Sequence, residues 1–221
     1  MGDWLVRGLV GADARLIAVD ATALAEQTRQ LHELTGDAVR VAAEAVVATL
    51  FLGAHIKGDE RISFQIQGTK PECAFIGDVD AGGGLRARLT PEVVLLPYYG
   101  RMEGMLLVVK SLPGKELYRG VTAINAETIE AALTRHLGES AQVDAILRIG
   151  ADVGEDGTVG WAGGVLLERL PSQDDSMSLE ASAAFAVQFD PLNRQPVGEI
   201  LKAVRLGVLE ETPIQRLEER P

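Results

Sequence analysis

Arg61-Ile62-Ser63-Phe64-Gln65-Ile66-Gln67 alternates apolar with polar side chains at every step. Successive side chains of a strand point to opposite faces, so this stretch predicts a strand with one buried and one wet face. Gly68-Thr69-Lys70-Pro71 then turns the chain into a second run at 73–77. Leu85, Ala87 and Leu89 alternate with Arg86, Arg88 and Thr90 in a third. The runs at 105–110 and 118–123, separated by Pro113-Gly114, supply two more. The middle of the chain therefore reads as short strands joined by tight turns.

On the amino-terminal side, 5–10 and 15–19 are β-like runs around Gly11-Ala12-Asp13, a hairpin signal. Asp20 suits a helix N-cap before a helical stretch at 24–34, and Gly36-Asp37 breaks it. A second helix, continuing to about Ile56, is apolar around most of its circumference and must be covered on nearly all sides. Arg40, Glu44 and His55 interrupt its apolar run, so it reads as a buried helix and not a membrane span. On the carboxy-terminal side, Asn125 can cap a helix in which Ile129, Ala132, Leu133, His136 and Leu137 fall at helical spacing. Strands return at 143–149 and 161–170, around the turn-rich Gly154-Glu155-Asp156-Gly157. After Pro171 the chain turns polar, and beyond it Val197, Ile200, Leu201 and Val204 form an amphipathic stripe.

Composition excludes several classes of function. The net charge of −11 repels phosphate backbones and anionic bilayers, so neither nucleic acid nor membrane is an expected partner. Met1-Gly2-Asp3-Trp4 lacks the basic start of a secretory signal, and with a single cysteine, Cys73, no internal disulfide can form; the expected compartment is the cytoplasm. Gly82-Gly83-Gly84-Leu85-Arg86-Ala87 has the letters of a dinucleotide-binding fingerprint, but a strand follows it where a helix is needed. A tight turn is the expected reading, and it also covers Asp78 and Asp80. No phosphate-cradling glycine-lysine loop and no serine-nucleophile elbow occurs. His32, His55 and His136 lack the close spacing of a metal motif, and Cys73 reads as a packed, inert thiol. No catalytic residue, cofactor or metal is expected; a hydrolase or transferase would need a cleft joining acids of shifted pKa.

A series of segments resembles one family. Val6-Arg7-Gly8-Leu9-Val10 and Arg15-Leu16-Ile17-Ala18-Val19-Asp20-Ala21-Thr22 look like the amino-terminal hairpin of the heat-shock protein of 33 kilodaltons. Ala42-Ala43-Glu44, Ala48-Thr49, Lys57-Gly58 and Gln65-Ile66-Gln67-Gly68 continue the likeness. Tyr118-Arg119-Gly120-Val121 leading into 127–137, then Ala162-Gly163-Gly164-Val165-Leu166-Leu167 and Leu170-Pro171, complete it. The resemblance implies an ATP-independent holdase chaperone that binds unfolding or partly folded client proteins and dimerises when active. It also implies an α+β fold, with mixed or antiparallel sheets packed with helices and then a helical linker segment. The core would span 1–172 and the helical linker 173–221. Full-length relatives add a four-cysteine zinc module as a redox switch; this sequence stops where that module would begin, and Cys73 matches none of its ligands. The family's Arg-Gly-Tyr-Val strand is here Arg86-Ala87-Arg88-Leu89, and its Ser-Glu-Gln site with a following Pro-Thr pair is Ser140-Ala141-Gln142-Val143-Asp144-Ala145. Val197, Ile200, Leu201 and Val204 are then the candidates for client binding or for docking the linker. The alternatives are a structural or regulatory interaction protein on the same fold and, less favoured, a hydrolase.

Overall fold

The computed structural model describes residues 2–10, 14–94, 97–140, 142–170, 197–199 and, for its backbone, 214–220. Ten strands and three helices follow one another as β1 (Trp4–Val10), β2 (Ala14–Asp20), α1 (Thr22–Leu31), α2 (Asp37–Gly53), β3 (Arg61–Lys70), β4 (Glu72–Asp80), β5 (Leu85–Thr90), β6 (Met102–Leu112), β7 (Lys115–Glu127), α3 (Ile129–Glu139), β8 (Ala145–Val153), β9 (Val159–Arg169) and β10 (Ile214–Arg220). They build two five-stranded sheets, ordered β10-β1-β2-β9-β8 and β5-β4-β3-β6-β7. Every pairing between these strands is antiparallel. The fold is α+β, as expected.

Helix α2 lies between the sheets, against β2, β8 and β9 on one side and β3, β4 and β5 on the other. Nearly every residue from Ala38 to Gly53 is buried, which the all-round apolar pattern demanded. Its alanines keep it narrow, and glycines on both sheets let it come close. A side chain at Gly77 would overlap the Thr49 hydroxyl; one at Gly164 would overlap the Arg148 carbonyl and meet Phe51 at 2.9 Å. Phe51, Phe64 and Phe75 fill the remaining core, the last two with ring centroids 6.0 Å apart.

Polar contacts fix the ends of this arrangement. At the carboxy-terminal end of α2, Arg7 Nη1 donates to the Ala54 carbonyl at 2.7 Å. Beside it, buried Glu168 accepts from Arg15 Nε at 2.9 Å and Nη2 at 2.7 Å, and His55 Nε2 lies 2.8 Å from its other oxygen. Burial pushes the Glu168 carboxyl up, but His55 and Arg15 outweigh it and hold it below the usual carboxylate range. Near the other end, the Tyr98 amide donates to Asp37 at 2.7 Å and its hydroxyl to Glu44 at 2.6 Å, tying the β5–β6 connection to α2. Burial pushes Glu44 up to about 7, against the pull of the Tyr98 hydroxyl and Arg40.

Several local expectations are corrected. The N-cap of α3 is Thr128, whose hydroxyl accepts from the Ala131 amide at 3.0 Å; Asn125 still belongs to β7. At α1, Asp20 accepts from the Thr22 amide at 3.1 Å, while Asp3 accepts the Ala23 and Leu24 amides at 2.7 and 2.8 Å from outside the helix. Within the region expected to be helical linker, 197–199 is helical, but Ile214–Arg220 is a strand. It pairs with β1, placing Val10 opposite Ile214. Left alone, β1 would be a sheet edge with open backbone groups, and this pairing satisfies them.

Two stability outcomes test these packing and charge arguments. Gly164→Ala should lower stability by about 1–3 kcal/mol in urea denaturation, because the Arg148 carbonyl cannot move without disturbing the sheet; an unchanged midpoint would contradict the close approach. A carboxyl whose folded pKa is raised favours folding when protonated, so the Glu44 contribution is full below pH 4.5 and is lost as pH rises through about 7. Glu44→Gln keeps an acceptor for Tyr98 and should stabilise the protein by about 1–2 kcal/mol at pH 8 and little at pH 4. Equal effects at both pH values would show that Glu44 is not strained by burial.

Candidate functional site

The strand quoted first is the centre of the second sheet. Its Ile62, Phe64 and Ile66 point inward, and Ser63, Gln65 and Gln67 form the outer face. Register carries this face across all five strands. Gln65 lies opposite Ile76 on β4 and Leu107 on β6; those in turn oppose Arg88 on β5 and Val121 on β7. The next row reads Thr90, Ala74, Gln67, Met105 and Ala123. Two polar residues thus sit in the middle of an aliphatic surface.

That surface is open. Ile76 is 41% exposed, Met105 51% and Val121 58%, high values for large apolar side chains that share one sheet face. Together with Leu107, Gln65 and Gln67 they line a shallow groove of about 570 Å³ that crosses the strands from Arg88 to Val121. Leu112 and Leu117, near the β6–β7 hairpin, are exposed as well.

The outer face of the first sheet is treated differently. Val10, Leu16, Ala18, Val165 and Leu167 form a second apolar cluster there, and Val197 is buried against it, with Trp161 packed alongside. Of the four candidate residues in the carboxy-terminal stripe, Val197 is thus buried within this cluster. Ile200, Leu201 and Val204 lie outside the described residues.

The sequence did not locate the groove, because its lining comes from several strands whose mutual register no single strand's pattern gives. The signal was in β6, where Met105-Leu106-Leu107-Val108-Val109 does not alternate. An unbroken apolar run in a strand means apolar residues on both faces.

The other candidate chemistries resolve into structural contacts. Gly82-Gly83-Gly84 is a tight turn: Asp80 Oδ1 accepts the Gly82 and Gly84 amides, both at 2.9 Å, and Gly83 has φ +86°. His32 Nε2 donates to the Ala87 carbonyl at 2.8 Å, and His55 pairs with Glu168. His136 lies buried, 2.9 Å from the Thr122 hydroxyl and 3.3 Å from that of Tyr118, and burial pulls its pKa down. The histidines do not converge, and no cluster of three or more His, Cys, Asp or Glu able to hold a metal occurs among the described residues. Cys73, the single cysteine of the sequence, has a buried thiol pushed up by desolvation. Three acids do have raised pKa values, Asp3, Glu44 and Glu130, each chiefly through burial. All are engaged structurally, Asp3 with the Ala23 and Leu24 amides, Glu44 with Tyr98 and Glu130 with the Ile149 amide at 2.7 Å, and none lines the groove. Among the described residues no helix is long and apolar enough to cross a membrane.

Comparison with known proteins converges on one family. The family model described as Hsp33 protein matches residues 3–221. The 33 kDa chaperonin of Enterococcus faecalis is 27% identical over 233 residues, covering 100% of this chain and 78% of its own length. That of Listeria monocytogenes is 31% identical over 189 residues, covering 80% of this chain but only 64% of the relative. The crystal structure of the 33 kDa chaperonin (heat shock protein 33 homolog) from Thermotoga maritima superposes with a TM-score of 0.80 at 19% identity, over 98% of this chain and 78% of that one. The antiparallel two-sheet fold around a buried helix thus belongs to a member of the Hsp33 chaperone family.

Proposed function

We propose that this chain is a holdase: it captures unfolding proteins on the outer face of its second sheet, without nucleotide and without catalysing a reaction. The observation that carries this reading is the groove centred on Leu107, Met105, Ile76 and Val121. Client capture on such a face draws on burial of apolar area at about 25 cal/mol per Å². A few hundred Å² gives several kcal/mol before the client's ordering cost is subtracted, which suits reversible holding. The β-sheet beneath is fixed by its own ladders, so the chaperone side loses little entropy. Family membership supports unfolded polypeptide as the ligand class. The proposal sets the activity in the cytoplasm.

Control by a thiol switch is not part of the proposal for these 221 residues. Their single cysteine is buried in β4 and shifted away from the reactive thiolate. The docked Val197 supports a covering role for the carboxy-terminal stripe on the first sheet, away from the client face.

Two measurements bear on this reading. Val121→Asp with Met105→Asp puts charge on exposed positions, so folding should survive with a melting temperature within a few degrees of the parent. Suppression of light scattering by a heat-unfolding client should fall severalfold; full suppression by this double variant would remove the second sheet from the mechanism. Holding should also be equal in dithiothreitol and after peroxide treatment. Suppression that appears only after peroxide would mean that an oxidant-dependent step operates.

A further inference from the structure

The groove has an electrostatic polarity that its aliphatic lining conceals. Arg88 is the single charged residue among those that line it, and Arg88 is exposed. Nearby, Arg119 pairs with Glu116 at 2.6 Å and Lys70 reaches Glu103 at 3.9 Å, while Asp78, two residues along β4 from Ile76, lies opposite Arg86 in the register. Among the described residues Arg88 is in no ion pair. Its strand neighbour across the ladder is Ile76, an apolar side chain that cannot satisfy it.

Register fixes how far this cation stands from the apolar centre. Arg88, Ile76, Gln65 and Leu107 occupy four adjacent strands in one row. Three strand spacings separate Arg88 from Leu107, about 14 Å at about 4.8 Å each. An extended polypeptide laid along the groove covers that distance in about four residues at about 3.3 Å per residue. The Gln65 and Gln67 amides between them offer donors and acceptors to a client backbone.

We propose that the groove selects extended client segments in which an acidic side chain follows an apolar cluster by about four residues, the acid meeting Arg88 and the cluster covering Leu107, Met105 and Val121. This rests on the holding function proposed above and adds a client class to it. The preference runs against the long-range field of the protein, since a net charge of −11 attracts basic chains. It therefore emerges at contact range, where salt screens the distant charges beyond about 8 Å at physiological ionic strength.

The test uses the full chain and short fluorescein-labelled peptides with one Leu-Val-Leu cluster and, four residues on, Glu, Gln or Lys. Fluorescence anisotropy at physiological salt should show the Glu peptide bound about threefold tighter than the Lys peptide, the scale of an exposed ion pair. Arg88→Glu should reverse that order, and Arg88→Gln should abolish the difference between the Glu and Lys peptides. The same ranking in parent and Arg88→Gln would overturn the selection rule. Holding itself would still stand if the Gln peptide bound the parent and not Val121→Asp. Failure of all three peptides to bind, with self-association that Val121→Asp abolishes, would assign the face to a second copy of the chain and overturn both readings.

Discussion

A helix with no polar side has to be enclosed, and α2 imposes that requirement on everything around it. From Ala38 to Gly53 it offers solvent almost nothing, and one sheet can cover only one side of a cylinder. Two sheets are needed, and each must come close to the helix axis. That closeness explains the alanines of α2 and the glycines facing it, Gly77 on one sheet and Gly164 on the other. The charged contacts are arranged around the ends of this sandwich. Arg7 reaches the carbonyl end of α2, and Glu168, with Arg15 and His55, joins the first sheet to the residue just beyond it. Cations near the carboxy-terminal end of a helix also meet its dipole favourably.

Enclosing α2 leaves each sheet with a second face, and the two are finished in different ways. In the first sheet, Leu16-Ile17-Ala18-Val19 and Val165-Leu166-Leu167 are apolar on both sides, so those strands need a cover without as well as a helix within. Val197 belongs to that cover. In the second sheet the central strand is polar outside, whereas β4, β6 and β7 carry Ile76, Leu107, Met105 and Val121. The resulting mosaic is sticky without being a continuous apolar sheet, and a net charge of −11 opposes indiscriminate association.

How much of this was legible from the residues depends on whether one strand or several had to be read together. The alternation in 61–67 gave β3 and its faces, and the unbroken apolar run of α2 gave its enclosure, because each pattern is local. The glycine turn at 82–84 was legible for the same reason: a strand pattern follows it. The groove was not, since it exists only when register sets Ile76 beside Gln65 and Leu107 beside Val121. The strand at the carboxy terminus was also hidden. Ile214-Gln215-Arg216-Leu217-Glu218-Glu219-Arg220 carries no clean period of two, and its conformation comes from pairing with β1. The cap of α3 failed for a subtler reason, as β7 runs on through Asn125 before Thr128 can act.

The edges of the second sheet favour the proposed use of its face over its rim. An unpaired strand edge recruits extended polypeptide through main-chain hydrogen bonds, and such pairing grows into aggregates. Here β5 is short, carries Arg86 and Arg88 and ends at Pro91, which has no amide hydrogen to donate. On the opposite edge, Arg135 from α3 donates to the Ala123 carbonyl at 2.6 Å and pairs with Glu127 on the same strand, so part of the β7 rim is already occupied. Main-chain capture at these edges would be strong, sequence-blind and slow to reverse. Contact through side chains on the face is weaker and can be released, and of the two modes only this one suits the proposed holding of partly unfolded chains without joining their aggregate.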